Sequence, residues 1–261
     1  MGFSTSKAIF FPPERTEQEW STLTRQSSFP VQCQLHEIYI DYNKGYYLSF
    51  SPLSLKNDKV LVVCHENDSD LLIMKSWCEY MAMHLQMKIV CVEYLGYGPR
   101  SYEYFSSYPR RVVPNEYYCY ASLEEVIEAL LCSGTKKENI HLLGHSLGTG
   151  VVVDYALKFS ITNCIILISP YKSIARVMYN GPGSSFLYPI DHFVTWHKID
   201  KLSCPVKFFH GQSDTLIHWS HSSDLYQYVK DKMFNPTYFP GRSHNDMLEV
   251  ITPEMLLEVM S

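Results

Sequence analysis

Ser146 stands in Ile140-His141-Leu142-Leu143-Gly144-His145-Ser146-Leu147-Gly148-Thr149-Gly150, an apolar run that passes through Gly-x-Ser-x-Gly into a helical pattern. Glycines on both sides let the backbone turn sharply from strand to helix and present a serine hydroxyl at the helix N-terminus. There the hydroxyl can act as a nucleophile, with the backbone N–H of Leu147 placed to donate to the oxyanion that forms. A serine hydroxyl is weakly acidic, so it needs a base, and the base needs an acid to orient it. Both follow downstream. Asp214 closes Gly211-Gln212-Ser213-Asp214, just past the apolar run 205–210, and His244 lies in Gly241-Arg242-Ser243-His244-Asn245-Asp246, just past 237–240. The order Ser, Asp, His is that of one known triad arrangement. It predicts Ser146 as nucleophile, His244 as proton shuttle, and Asp214 as the group that holds the imidazole in the right tautomer. Of the eleven histidines, His244 alone combines a strand before it, a helix after it and an aspartate suitably placed upstream.

Side chains so far apart in sequence need a scaffold that presents strand ends on one edge. Residues 60–65, 88–93, 139–143, 164–169 and 205–210 are short apolar runs, as expected of strands covered on both faces. Helical patterns over 70–85, 116–131, 148–159, 218–230 and 253–260 separate most of them. The alternation predicts an α/β fold with a mostly parallel sheet flanked by helices. Ahead of it, residues 35–42 and 46–50 alternate apolar and polar around Asn43-Lys44-Gly45, which predicts an N-terminal antiparallel hairpin. Residues 1–30 read as a polar, proline-containing leader and 31–261 as a single domain, with a small cover segment at 171–201.

The 261 residues carry 22 Lys+Arg against 27 Asp+Glu, a formal net charge of −5 that argues against nucleic acid as a partner. With 46% hydrophobic and 19% charged residues, the chain has material for a large core. Eight cysteines are scattered without a Cys-x-x-Cys pair and several sit inside apolar runs, so they read as buried, reduced thiols. That usage predicts a cytoplasmic setting, consistent with the lack of a recognisable secretory leader or of an apolar run approaching the roughly 18 residues of a membrane span. Histidines lack zinc spacing and no phosphate-binding glycine loop follows the first parallel strand, so neither a metal nor a nucleotide cofactor is expected.

Taken together, Phe11-Pro12-Pro13, Val63-Cys64-His65-Glu66-Asn67, Glu93-Tyr94-Leu95-Gly96-Tyr97-Gly98, the Ser146 elbow, Ser169-Pro170, His210-Gly211 with Asp214, and His244-Asn245-Asp246 resemble the α/β-hydrolase domain-containing family seventeen. These are serine hydrolases that remove palmitate from proteins. The resemblance runs over nearly the whole chain. It implies the α/β-hydrolase fold and a thioesterase that acts on acylated cysteine, with Ser146, Asp214 and His244 as its triad.

Two departures stand out. Where relatives carry His-Gly-Asn after the first parallel strand, this chain has His65-Glu66-Asn67, which sets a carboxylate beside the expected second oxyanion donor, the backbone N–H of Asn67. A negative charge there would oppose the oxyanion and attenuate turnover. Relatives also carry clustered N-terminal cysteines, whereas this chain has none before Cys33 and instead begins Met1-Gly2-Phe3-Ser4-Thr5-Ser6, a pattern for myristoylation of Gly2. One such chain, with only Lys7, Arg15 and Arg25 nearby, predicts weak peripheral attachment to the cytosolic face of a membrane.

The aromatic segments bear on substrate. Phe186, Leu187, Tyr188, Phe193 and Trp196 read either as the cover of an acyl pocket or as ordinary packing on the sheet, and Arg110-Arg111 as an approach to an acidic surface or as part of a surface loop. The expected partner is an acylated protein or a lipid ester. Two other functions remain compatible with the residues: a carboxylesterase or lipid hydrolase using the same machinery, and a catalytically weak hydrolase-like binding protein.

Overall fold

The computed structural model describes residues 9–25, 27–98, 112–179 and 191–260. The chain divides into two compact units, Met1–Ile140 and His141–Ser261.

The first unit opens with a short helix, α1 (Glu17–Trp20), started by a reciprocal cap in which Thr16 Oγ1 accepts from Glu19 N–H and the Glu19 carboxylate accepts from Thr16 N–H. The leader is therefore more than a polar tail. Trp20 and Leu23 are buried, and the Trp20 ring meets Tyr46 edge-on at 6.1 Å. The indole also closes over Gly98, where an added Cβ would lie 2.8 Å from it and φ is +72°; both facts call for glycine.

Strands β1 (Val31–Ile40), β2 (Asn43–Pro52), β3 (Val60–Cys64) and β4 (Lys88–Val92) follow, in the spatial order β1-β2-β4-β3. The pairs β1/β2 and β2/β4 are antiparallel and β3/β4 is parallel. All of β3 is buried, which explains why it reads as an unbroken apolar run. A parallel pair needs a crossover, and α2 (Leu71–Leu85) supplies it while packing on β2 and β4. Asp70 Oδ1 caps it by accepting from Ile73 N–H at 2.9 Å, and it ends at Gln86 with φ +52°. Helix α3 (Glu116–Cys132), capped by Asn115, packs on β1 and β4.

The hairpin turn differs from the sequence expectation. Asp41 and Tyr42, at φ +47° and +65°, make the two-residue loop, and Asn43 already pairs with Ile40 in β2. Two positive φ values match the twist of the flanking strands, which an Asn-Lys-Gly turn three residues long would not require. Gly45 serves packing instead: a Cβ there would lie 3.2 Å from Ile38 Cγ1, so the isoleucine lies across the bare backbone.

The second unit holds β5 (Ile140–His145) from His141 onward, β6 (Ile165–Ile168), β7 (Val206–Gly211) and β8 (Thr237–Phe239), each parallel to its neighbour. Helices α4 (Leu147–Lys158), α5 (Ile174–Met178), α6 (Ser220–Tyr228), α7 (Met247–Val250) and α8 (Pro253–Met260) complete it, with α4 on β6 and α6 on β7. Strands β3 to β8 start and stop within two residues of the predicted runs, whereas β1 and β2 begin four and three residues before theirs. Helices α1, α5 and α7 are additions, each too short to show a period. Six of the eight cysteines are buried, and burial pushes the Cys164 thiol up to about 12 and the Cys204 thiol up to about 11. Among the described residues, no helix is long and apolar enough to cross a membrane.

Candidate active site

Between β5 and α4 the chain bends at Ser146, which has φ +49° and ψ −115°. A non-glycine residue in this region is strained, so the surrounding structure must hold it there. It does so from both sides. Ser146 N–H donates to Ile168 O of β6 at 2.9 Å, and Ser146 C=O accepts from Thr149 N–H at 2.9 Å and Thr149 Oγ1 at 2.6 Å. A Cβ on Gly144 would lie 2.4 Å from Gly148 O, so glycine lets helix and strand approach. Leu147 is the first residue of α4, and its N–H therefore points out of the helix end without an intrahelical acceptor.

The structure brings Ser146, His244 and Asp214 together. His244 Nε2 lies 2.9 Å from Ser146 Oγ and His244 Nδ1 lies 2.6 Å from Asp214 Oδ2. A carboxylate accepts, so Nδ1 carries the proton and Nε2 is left to accept from the serine hydroxyl. Both nitrogens are thereby engaged within the unit. All three side chains are nearly out of water, with residue exposures of 6%, 5% and 2% for Ser146, His244 and Asp214.

Asp214 is gripped at both oxygens. Oδ1 accepts from Leu216 N–H at 2.9 Å and Ile217 N–H at 2.7 Å; Oδ2 accepts from His244 and, at 3.2 Å, from His210 Nε2. Burial pushes this carboxyl up, but the hydrogen bonds from His210 and His244, the charge on His244 and the Ile217 N–H together outweigh it and hold the group well below the usual carboxylate range. The two loops that carry the acid and the base are laced to each other. Gln212 N–H donates to Phe239 O and Ser213 N–H to Arg242 O, each at 2.9 Å, while a Cβ on Gly211 would lie 2.3 Å from Arg242 O. Asp246 tightens the turn after His244 by accepting from Ser243 N–H at 2.7 Å.

Sequence reasoning assigns no role to His210 or Asp246, although both lie in quoted motifs. Of the aromatic candidates, Phe193 is fully buried and packs near Gly150 of α4, and Trp196 lies under the Arg176 guanidinium at 4.7 Å. Phe186, Leu187, Tyr188, Arg110, Arg111 and Gly2 fall outside the described residues.

Asn67, expected to give the second oxyanion donor, sits in the first unit on the loop between β3 and α2. Its Oδ1 accepts from Tyr97 Oη at 2.7 Å and Phe11 N–H at 3.2 Å, and its Nδ2 donates to Ile9 O at 2.8 Å. Arg15 Nε reaches buried Asp70 Oδ2 at 2.7 Å, so residues 9–16 are fastened to this loop at three points. Behind it, buried His65 lies between Glu66 O, 2.7 Å from Nδ1, and Glu93 Oε1, 3.1 Å from Nε2. Burial alone would lower this imidazole, but the Glu93 carboxylate and the Glu66 carbonyl raise it above its ordinary value. Glu66 itself is half-buried.

No family profile matches the chain. An α/β hydrolase of Acanthamoeba polyphaga mimivirus, L404, is 37% identical over 77% of this chain and 73% of its own length. The α/β-hydrolase domain-containing protein 17C of Xenopus laevis is 29% identical over 93% of this chain and 84% of its own. Among solved structures, the Pyrococcus furiosus esterase Pf2001 covers 97% of this chain and 99% of its own with a TM-score of 0.66; at 14% identity this likeness is one of fold. The elbow, the strand order within each unit and these relatives agree: the chain belongs to the α/β hydrolases and stands with relatives of the domain-containing 17 group.

Proposed function

We propose that the protein is a serine hydrolase that cleaves acyl thioesters, S-palmitoyl groups on proteins in particular, through an acyl-serine intermediate. The observation that carries this reading is the continuous chain from Ser146 Oγ through His244 to Asp214 Oδ2, with links of 2.9 and 2.6 Å. Ser146 Oγ attacks the acyl carbonyl carbon as His244 Nε2 takes its proton; Leu147 N–H, with Asn67 N–H as the expected second donor, receives the oxyanion. Collapse breaks the C–S bond, His244 returns the proton to the departing thiolate, and the acyl group stays on Ser146. Water then attacks, losing a proton to His244, and collapse releases the fatty acid and restores the Ser146 hydroxyl. Asp214 stays ionised throughout, holding the imidazole and stabilising its cation. The family resemblance supports the thioester and the palmitoyl group.

A fluorophosphonate probe is expected to modify Ser146 in the wild-type protein and not in Ser146→Ala, and an unreactive folded wild type would reject the hydrolase in favour of a binding protein. A panel that varies acyl length and pairs each thioester with its oxygen ester separates a depalmitoylase from a carboxylesterase or lipid hydrolase. On this reading Glu66→Gly speeds thioester hydrolysis, and equal or slower turnover discards the idea that its carboxylate opposes the oxyanion. The proposal places the enzyme in the cytoplasm with weak peripheral membrane attachment through a myristoylated Gly2, a modification that mass spectrometry of the native N-terminus reads directly.

A further inference from the structure

His210, the penultimate residue of β7, has no exposed surface, and the steps above leave it unused. A ring wholly out of water needs partners for both nitrogens. Nε2 lies 2.8 Å from Ile217 O and 3.2 Å from Asp214 Oδ2. A carbonyl and an ionised carboxylate only accept, so Nε2 carries a proton and divides it between them. Nδ1 faces Ser222 Oγ on α6, a hydroxyl free to rotate and donate, so the ring is satisfied as a neutral imidazole. Ile217 O and Asp214 thus select the tautomer, and Ser222 completes it at Nδ1. Asp214 Oδ2, in turn, stands between two imidazoles, His210 on one side and His244 on the other.

We propose that His210 is a positioning residue of the hydrolytic site: its Nε2–H, in a tautomer that Ser222 supports from Nδ1, fixes Asp214 Oδ2 in line with His244 Nδ1. The inference rests on the serine-hydrolase reading and deepens it. With donors on both oxygens the carboxylate cannot rotate, so the His244 ring stays aimed at Ser146. The second donor on Oδ2 also makes the carboxylate less basic, which keeps the shared proton on His244 during acyl transfer. The titratable groups facing this pair are His244 and, on α6, His221, whose ring burial and then Lys172 lower to about 4 and so keep neutral. Merely pinning the 211–217 turn through Ile217 O would change stability and leave the proton on His244 untouched.

The test compares wild type with His210→Leu, which removes the donor, and His210→Gln, whose amide N–H can replace Nε2–H. In His210→Leu, kcat falls about 10- to 100-fold with KM within about twofold, and His210→Gln recovers it to within about fivefold. The acidic limb of kcat/KM moves to higher pH in His210→Leu, because a carboxylate with one donor fewer is more basic and raises His244. The NMR resonance of the His244 Nδ1 proton moves in the leucine variant and returns in the glutamine variant. A folded His210→Leu with wild-type kcat, pH limb and resonance overturns the proposal. Should that variant not fold, Ser222→Ala takes its place: a several-fold loss of kcat at constant KM with a moved resonance supports the proposal, and an unchanged enzyme sinks it. If wild type itself does not label at Ser146, the hydrolase reading fails, and the resonance alone still judges His210.

Discussion

Each unit sets a wholly buried histidine against a carboxylate just past a parallel strand: His65 with Glu93 in the first, His210 with Asp214 in the second. The pairs are alike in residue type, burial and distance, at 3.1 and 3.2 Å. Their third partners differ. His65 Nδ1 faces the Glu66 carbonyl, which can only accept, so both ring nitrogens must donate and the ring is drawn toward its charged form. His210 Nδ1 faces the Ser222 hydroxyl, which can donate, so that ring is satisfied while neutral. One partner atom thus separates the two pairs: a carbonyl at Nδ1 leaves His65 no neutral form with both nitrogens paired, whereas a hydroxyl leaves His210 one.

The comparison can be broken from either side. Asp214→Asn keeps a polar group of the same size but frees the tautomer of His244, and kcat is expected to fall by about four orders of magnitude. A fall of less than tenfold in steady-state hydrolysis would remove Asp214 from its role. Glu93→Gln acts on stability instead. It removes the carboxylate that draws the buried His65 toward its charged form and sets an amide donor against the Leu71 N–H that Glu93 Oε2 now receives at 3.2 Å. Denaturant unfolding should register a loss of about 3–5 kcal/mol.

The two pairs should also oppose each other in pH. Because the folded pKa of His65 is raised, its contribution is fully present below about 6.5 and is lost as pH climbs through the raised value. Because the folded pKa of Asp214 is depressed, its contribution is present above about 3.9 and is lost as pH falls below that. Unfolding free energies measured across pH should therefore show an alkaline decline that Glu93→Gln flattens, and an acid decline that Asp214→Asn flattens. The smallest expected effect is that of Tyr94→Phe, which deletes the hydroxyl donating to His65 O at 2.8 Å and should cost about 1 kcal/mol by calorimetry, with catalysis unaltered.

Much of the scaffold is legible in the amino-acid order. Strands β3 to β7 read as apolar runs because burial on both faces leaves no polar alternation, and α2, α3 and α4 are long enough to show a helical period. Helix α1 is hidden by its four residues, although the Thr16-x-x-Glu19 spacing of its cap is a usable signal. The hairpin is legible as a pair of strands but not in its turn. Gly45 looks like a turn residue and is in fact the bare spot under Ile38, a distinction that depends on the side chain opposite.

By itself the sequence determined the α/β alternation, the elbow at Ser146 and the chain order of the three candidate groups, because each depends on residues close together or on patterns repeated along one element. Only the tertiary structure decided that Asp214 Oδ2 would take two imidazoles, that Ser222 would meet His210 Nδ1, and that Phe11, Ile9 and Arg15 would fasten the loop carrying Asn67 and Asp70. Protonation follows from donors and acceptors within about 3 Å, and those partners come from elements that meet only when the chain has folded.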